Sequence, residues 1–550
     1  MEIRLIAQSI CRTDLLWIHS RKATVQAAML DLPGTAIHGK IGVMEEVLCG
    51  MYFIGIDLGT TGVKAVVFTE DGRIAAMAYE AYRQEAVKGK RELRAEALWE
   101  SCERVLAAAM GKCPVQEEGA LCVSSFGEGF VCLDGNGREL TPVMLLTDDR
   151  GAEEFGQAVR ELDAGRIAEV TGLKPHISYS LSKILYLRSH RPEIYKKTEH
   201  ILLMGDHLYH KLGGGYVTDY SMASRTMLFD VHQKRWDPWL LEKTGVEAAL
   251  FSRPVQGGSV IGEVSRAVAE RLSLPRKTWL VMGGHDQPVA AVASRGGHGY
   301  TMCSMGTSEC ITPILQKPLS GSHVLACGHP NEPFMEPDVY NTLAYNVTSG
   351  LLTEWAAKVF TKKEREQGRQ AYQILEREMP KKPTRILVLP YLHGSGTPYL
   401  DAEARLSMLG LDEADRRGDI YRGILEGLCM DQKLNIEKLG ADRLEPAGLL
   451  VTGGSSRSQA WLQIKADVLE RPIHRLECAQ AGALGCAILC AAALKIYPSL
   501  KEAAGAMVQV GTAVEPRKEE SQIYREKYEI YKTLYEDCRR ANAYAAGFQR

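Results

Sequence analysis

The 550-residue chain has no excess of charge of either sign: 66 lysines and arginines stand against 68 aspartates and glutamates, a formal charge of −2. That balance excludes the basic footprint of a nucleic-acid binder and the polybasic stripe of a membrane-surface protein. Long hydrophobic runs are missing too. The longest uncharged apolar stretch, Ala481 to Leu494, is shorter than the roughly 20 residues a bilayer requires. The opening residues lack the basic start and unbroken apolar core of a secretory signal. The 14 cysteines include no CxxC pair, and several lie in apolar runs, so they read as buried reduced thiols of a cytoplasmic protein. No GxxxxGK(S/T) occurs, which excludes a P-loop, and no complete GxGxxG follows a strand, which disfavours a dinucleotide fold. The only metal-like spacing is the HxxH of His207 and His210. It has no third partner and reads as core or surface histidines.

What is present is an ordinary globular composition, 45% hydrophobic and 24% charged, long enough for more than one domain. Residues 1–50 show no clear period, and order begins at Met51. YFIGID reads as a buried strand, LGTTG as a tight turn and VKAVVF as a second strand, with Glu70–Gly72 turning into RIAAMAY. Near the middle, YTMCSMGTSECITPI repeats the strand–turn–strand pattern around Gly306, Thr307 and Ser308. The two Gly-Thr turns are about half of the ordered chain apart, which suggests two α/β halves with one such hairpin each. A third glycine turn, GGSSRS at 453–458, follows the strand GLLVT and opens a helix. AGALGCAILCAAAL reads as a helix packed close against a neighbour, and 519–539 as an amphipathic closing helix.

A Gly-Thr-Thr-Gly turn between strands suits phosphate, because glycines let backbone N–H groups approach the oxygens and threonine hydroxyls add donors. Asp57 just before the first turn is placed to hold Mg²⁺ through water, and Lys64 supplies nearby positive charge. Asp286 ends an apolar strand beside two glycines, where a carboxylate can take a hydroxyl proton while ATP is attacked. The equally weighted alternative is a helix cap, with Pro288 in the first turn.

These motifs carry a resemblance. FIGIDLGTTGVKAVVF, TDYSMAS (218–224), GGHDQ (283–287), SMGTS (304–308), PYLHGSGTPYLD (390–401) and VTGGSSRSQAWLQIKADVLERPI (451–473) resemble, in order and spacing, the FGGY carbohydrate kinases of the actin-like ATPase superfamily, nearest the xylulokinase-like branch. The fold this implies is α/β, two RNase-H-like domains flanking a deep catalytic cleft. Residues 51–297 would be the sugar- and phosphate-binding domain and 298–550 the nucleotide-binding domain. The resemblance implies ATP and Mg²⁺ as cofactors, with Asp57 for the metal. It implies Thr60, Thr61, Lys64 and Thr307 for phosphates, Gly350, Glu354, Gly454 and Ser458 for the nucleotide, and Asp286 as catalytic base. The sugar side departs from the family. Gly127-Glu128-Gly129 stands where xylulokinases commonly have Met-His-Gly. Glu128 matches the glutamate of glycerol kinase's Arg-Glu pair, while Gly127 replaces its arginine. Leu146-Thr147-Asp148-Asp149-Arg150 loses a tryptophan. Glu128, Asp148 and Arg150 remain polar and are expected, with Asp286, to meet substrate hydroxyls.

The expected function is ATP-dependent phosphorylation of a small sugar or polyol, a ketopentose such as xylulose first. The rivals are a kinase of another polyol or of a signalling carbohydrate and, from a different class, a non-catalytic ATP-binding sugar sensor. No nucleic acid and no membrane is expected as partner, and a homodimer is left open. Residues 1–50 are expected to be a dispensable extension, untranslated in the native cell, with Met51 as the start. Codons for Glu45-Glu46-Val47 could spell a bacterial ribosome-binding sequence just upstream. The rival is an N-terminal arm built on Leu15 to Ile18.

Overall fold

The computed structural model describes residues 50–548 except 83–84, 88–89, 115 and 441–446. The expectation for residues 1–50 concerns a segment outside the described residues, Gly50 apart. From Met51 the chain forms β1 (Tyr52–Leu58), returns through the Gly-Thr-Thr turn as β2 (Gly62–Phe68), and turns again into β3 (Ile74–Ala81), each pair antiparallel. Helix α1 (Ala95–Met110) crosses to β4 (Glu118–Ser125), which runs parallel to β1. Helices α2 (Ala164–Thr171), α3 (Met204–Leu212) and α4 (Tyr220–Ser224) come next. Then β5 (Val260–Glu263) and β6 (Lys277–His285) complete a sheet in the order β5-β6-β4-β1-β2-β3. Helix α5 (Asp286–Ala291) follows at once.

The second half repeats the plan. Strands β7 (Tyr300–Met305) and β8 (Glu309–Thr312) form an antiparallel hairpin around Gly306–Ser308. After α6 (Gly321–Cys327) come β9 (Ala344–Asn346), α7 (Ser349–Phe360) and α8 (Arg417–Lys438). β10 (Gly448–Thr452), α9 (Gln459–Leu469) and β11 (Ile473–Arg475) close a sheet in the order β9-β8-β7-β10-β11. Apart from the edge strand β5, the two sheets share order and polarity: a hairpin with an antiparallel edge, then two strands parallel to the first. The spacing of the two Gly-Thr turns is the sequence trace of this repeat.

Helices α10 (Ala481–Ala493) and α5 meet between the sheets. A Cβ on Gly485 would lie 1.9 Å from the Val289 carbonyl oxygen, so only glycine permits this approach. Strand β1 reads as continuously apolar because both its faces are covered. Ile54, Ile56 and Leu58 join the core under α1 and α3, while Phe53 faces the α10 side. By the same alternation Asp57 lies on the α10 face, at the strand's carboxyl end. The closing helix is α11 (Lys518–Ala546), whose Tyr524, Tyr528, Tyr531 and Tyr535 are buried at helical spacing against the second core.

Candidate active site

In a parallel α/β sheet, ligands gather at the carboxyl ends of the strands, where chain direction leaves loops and helix starts facing a crevice. Asp57 is the last residue but one of β1, Gly127–Gly129 follow β4, His285 ends β6 and Asp286 comes directly after it. Asp57 pairs across the hairpin with Lys64, Nζ to Oδ2 3.5 Å, and Lys64 also donates to Gln480 Oε1 at 2.9 Å. Burial raises the Asp57 carboxyl above its ordinary range, and Lys64 opposes that rise. Thr60 and Thr61 form the turn itself, which Gly59 closes by donating to the Gly62 carbonyl at 3.0 Å.

Asp286 is the first residue of α5, and the capping position belongs to His285, so the helix-cap alternative is not what the fold adopts. The end of β6 is fixed by the TDYS segment: Ser221 Oγ accepts from the His285 N–H at 2.9 Å and donates to Asp219 Oδ2 at 2.8 Å. Around Asp286 lies a buried chain of charges. Arg225 donates from Nε to Glu128 Oε1 at 2.8 Å and from Nη1 to Glu332 Oε1 at 2.8 Å. Glu332 Oε2 meets His285 Nδ1 at 3.0 Å, and His285 Nε2 stands 3.3 Å from Asp286 Oδ1. Burial disfavours a charged His285, but Glu332 and Asp286 overcome this and hold its pKa up at about 9. Burial also raises Asp286, against the lowering effect of His285.

Glu128 has φ 59°, a left-handed conformation unusual outside glycine, and its carboxylate is taken by Arg225. A Cβ on Gly127 would come within 3.1 Å of Arg225 Cγ and 3.2 Å of His285 Cδ2. Glu128 thus takes its arginine partner from position 225, and Gly127 makes room for it. Asp148 and Arg150 pair with one another at 2.8 Å, and the charges of Asp148 and Glu128 both act on the buried Lys183. Sequence reasoning missed Arg225, His285 and Glu332. Arg225 directly follows TDYSMAS, His285 lies inside GGHDQ, and Glu332 carried no sequence signal.

On the second half a cavity of about 960 Å³ brings together Thr307, Gly350, Glu354, Gly454 and Ser458. That volume suits a nucleotide-sized ligand. Gly350 donates to the Gly306 carbonyl at 3.1 Å, which fastens α7 to the second hairpin. Ser458 caps α9, accepting from Trp461 N at 3.1 Å and donating to Glu376 at 2.6 Å. Glu354 lies on the cavity wall and pairs with Lys358 at 2.6 Å. Nothing stands within 4 Å of a Cβ placed on Gly454, so that wall opens to a ligand. Thr60, Thr61 and Lys64 are not among the residues lining this cavity. His207 is buried, with desolvation lowering its pKa to about 3, and His210 stacks on Tyr216 at 4.5 Å.

Residues 52–293 match the N-terminal domain model of the FGGY family of carbohydrate kinases, and 301–494 match its C-terminal domain model. The chain belongs to the FGGY family of carbohydrate kinases. It is therefore a phosphotransferase with the two-domain, actin-like ATPase fold of that family, whose members use ATP as phosphate donor. A xylulose kinase of Bacillus subtilis is 27% identical over 514 residues, covering 91% of this chain and 99% of that protein. The solved gluconate kinase of Lactobacillus acidophilus superposes with a TM-score of 0.81 at 21% identity, covering 89% of this chain and 98% of the other. A xylulose kinase from the same organism gives 0.80 at 21%, with the same coverage. Among the described residues of the kinase, no helix is long and apolar enough to cross a membrane.

Carbohydrate kinases typically also use a metal. Asp57 fits Mg²⁺: it is a hard oxygen donor, its charge disfavoured by burial, and Asp286 lies close enough to feel it.

Proposed function

We propose that this kinase transfers the γ-phosphoryl group of ATP to a hydroxyl of a small neutral sugar or polyol, a ketopentose such as xylulose first, with Asp286 as general base. The observation that carries the assignment is the contrast among the three acids of the sugar-side cluster. Glu128 and Glu332 are locked in ion pairs with Arg225, whereas Asp286 keeps about 35% of its side chain exposed and only a 3.3 Å contact to His285. A carboxylate so placed can take the hydroxyl proton as the oxygen attacks the γ-phosphorus and the bond to the departing ADP oxygen breaks.

Thr60, Thr61, Lys64 and Thr307 receive the charge that develops on the phosphates, and Gly350, Glu354, Gly454 and Ser458 hold the nucleoside end. Mg²⁺, held by Asp57 through water, would neutralise phosphate charge. Residues 51–297 then serve the sugar and 298–550 the nucleotide, and closure of the halves excludes water. A cytoplasmic setting belongs to the same reading, since ATP is the donor and the described cysteines are free thiols.

The cluster sets Glu128, Glu332 and Asp286 against Arg225, the protonated His285 and the buried Lys183, so its charges balance. Glu128, Asp148 and Arg150, each already in an ion pair, would address substrate hydroxyls with their remaining hydrogen-bonding capacity. A coupled ADP-release assay over ketopentoses, other polyols, signalling carbohydrates and gluconate tests this reading. Fastest turnover with gluconate would overturn the ketopentose assignment.

A further inference from the structure

We propose that His323, Cys327 and His329 form a binding site for one zinc-class divalent transition ion, separate from the metal position at Asp57. One ligand atom from each residue lies within 4.8 Å of the other two. His323 and Cys327 are four residues apart on α6 and so share a face. Gly328, at φ 65°, ends that helix and brings His329 back beside it, with His323 Nε2 and His329 Nδ1 3.0 Å apart. With Zn–N near 2.0–2.1 Å and Zn–S near 2.3 Å, tetrahedral geometry needs about 3.4 Å between nitrogens and about 3.6 Å from nitrogen to sulfur. The nitrogens are already near that separation, and a rotation of the half-buried Cys327 side chain closes the rest.

A second observation aims the site. Asn435 Nδ2 donates to the Thr397 and Asp431 carbonyl oxygens at 2.8 and 3.1 Å, which leaves its Oδ1 as the acceptor 3.1 Å from His329 Nε2. His329 therefore carries its proton on Nε2 and presents the Nδ1 lone pair to His323 and Cys327. His329 is fully buried. An imidazole whose outer N–H is held by a carbonyl is the usual support of a metal-ligating histidine. Cys327 would supply the thiolate ligand, with water as fourth partner.

The ion would tie down a crossing segment. Gly321 N donates to Glu169 Oε2 of α2 at 2.8 Å, and Asn331 N donates to the Gly172 carbonyl at 2.8 Å. Glu332, which holds Arg225 and His285, is the next residue.

The test uses the full chain freed of metal with a chelator and titrated with Co²⁺ and then Zn²⁺. One equivalent of Co²⁺ should bind with a thiolate-to-cobalt charge-transfer band that Cys327→Ser abolishes. Zn²⁺ should displace it and raise the melting temperature of the wild type. His323→Ala should weaken Zn²⁺ binding at least about tenfold, and Asn435→Ala by about 10–100-fold. His323 and Cys327 are only partly buried, so their variants should keep wild-type circular dichroism. A wild type that shows no thiolate band, or His323→Ala and Cys327→Ser proteins that bind Zn²⁺ as the wild type does, would reduce the cluster to a histidine–histidine hydrogen bond and overturn the proposal.

Discussion

Lys465 and Glu309 form an ion pair with no side-chain exposure at all, and Ser349 Oγ donates to the other carboxylate oxygen at 3.0 Å. The three residues come from the segments that line the cavity of about 960 Å³ in the second half. Glu309 opens β8 just behind Gly306–Ser308, Ser349 opens α7, and Lys465 lies on α9 behind the glycine turn. Lys465→Met keeps most of the volume but strands a buried carboxylate. Removing one partner of such a pair costs about 3–5 kcal/mol. At about 2–4 °C per kcal/mol for a domain of this size, the melting temperature should fall by roughly 6–20 °C. Calorimetry should locate the loss in the transition of the second half, because a two-domain protein need not unfold in one step. ADP affinity should weaken as well, since the loops lose their common anchor. Adding Glu309→Leu removes the stranded charge and should restore most of the stability. A Lys465→Met cost below about 1 kcal/mol, or a double variant no more stable than the single one, would refute the tether.

Asp286→Asn should lower kcat by about 10²–10⁴-fold while ADP affinity, read by calorimetry, stays near wild type; a kcat near wild type would remove Asp286 as base. Because His285 is protonated in the fold with a pKa near 9, its contribution to stability is complete below the unfolded value of about 6.5 and is lost as pH rises through 9. Denaturant titrations across that window should show a decline of a few kcal/mol, at about 1.4 kcal/mol per pKa unit, that His285→Gln flattens. Arg225→Ala strands two buried carboxylates and should cost about 3–5 kcal/mol, with sugar KM rising more than ATP KM. A chain starting at Met51 should fold with an unchanged melting temperature, since the Met51 nitrogen already donates to Glu70 Oε1 at 2.9 Å and would do so there as an ammonium.

The glycine turns of the second half were legible because their parts are local. A strand, a glycine turn and a helix start occupy consecutive residues, and the fold brings the Gly306, Gly350 and Gly454 segments to one cavity. The repeat was legible only as a spacing between two short turns. Its proof is the shared strand order of the two sheets, which depends on pairings hundreds of residues apart. The HxxH pattern drew attention to His207 and His210, of which the fold buries the first and stacks the second on Tyr216. His323, Cys327 and His329 drew none, because a helix end and a left-handed glycine were needed to bring them together.

The Glu128 cluster shows where motif reading fails. Position 127 lost the arginine expected beside Glu128, and by sequence the pair looked broken. In the fold the partner is Arg225, which follows TDYSMAS directly, and the glycine at 127 is what leaves it room. A buried carboxylate requires a counter-charge somewhere nearby, but the chain can bring that charge from any segment that passes. Glu332 then balances the added arginine, and His285 balances Glu332. Arg225 and Glu332 lie outside every quoted motif, and His285 sat unremarked inside GGHDQ, so the network has to be read from the fold and not from any one motif.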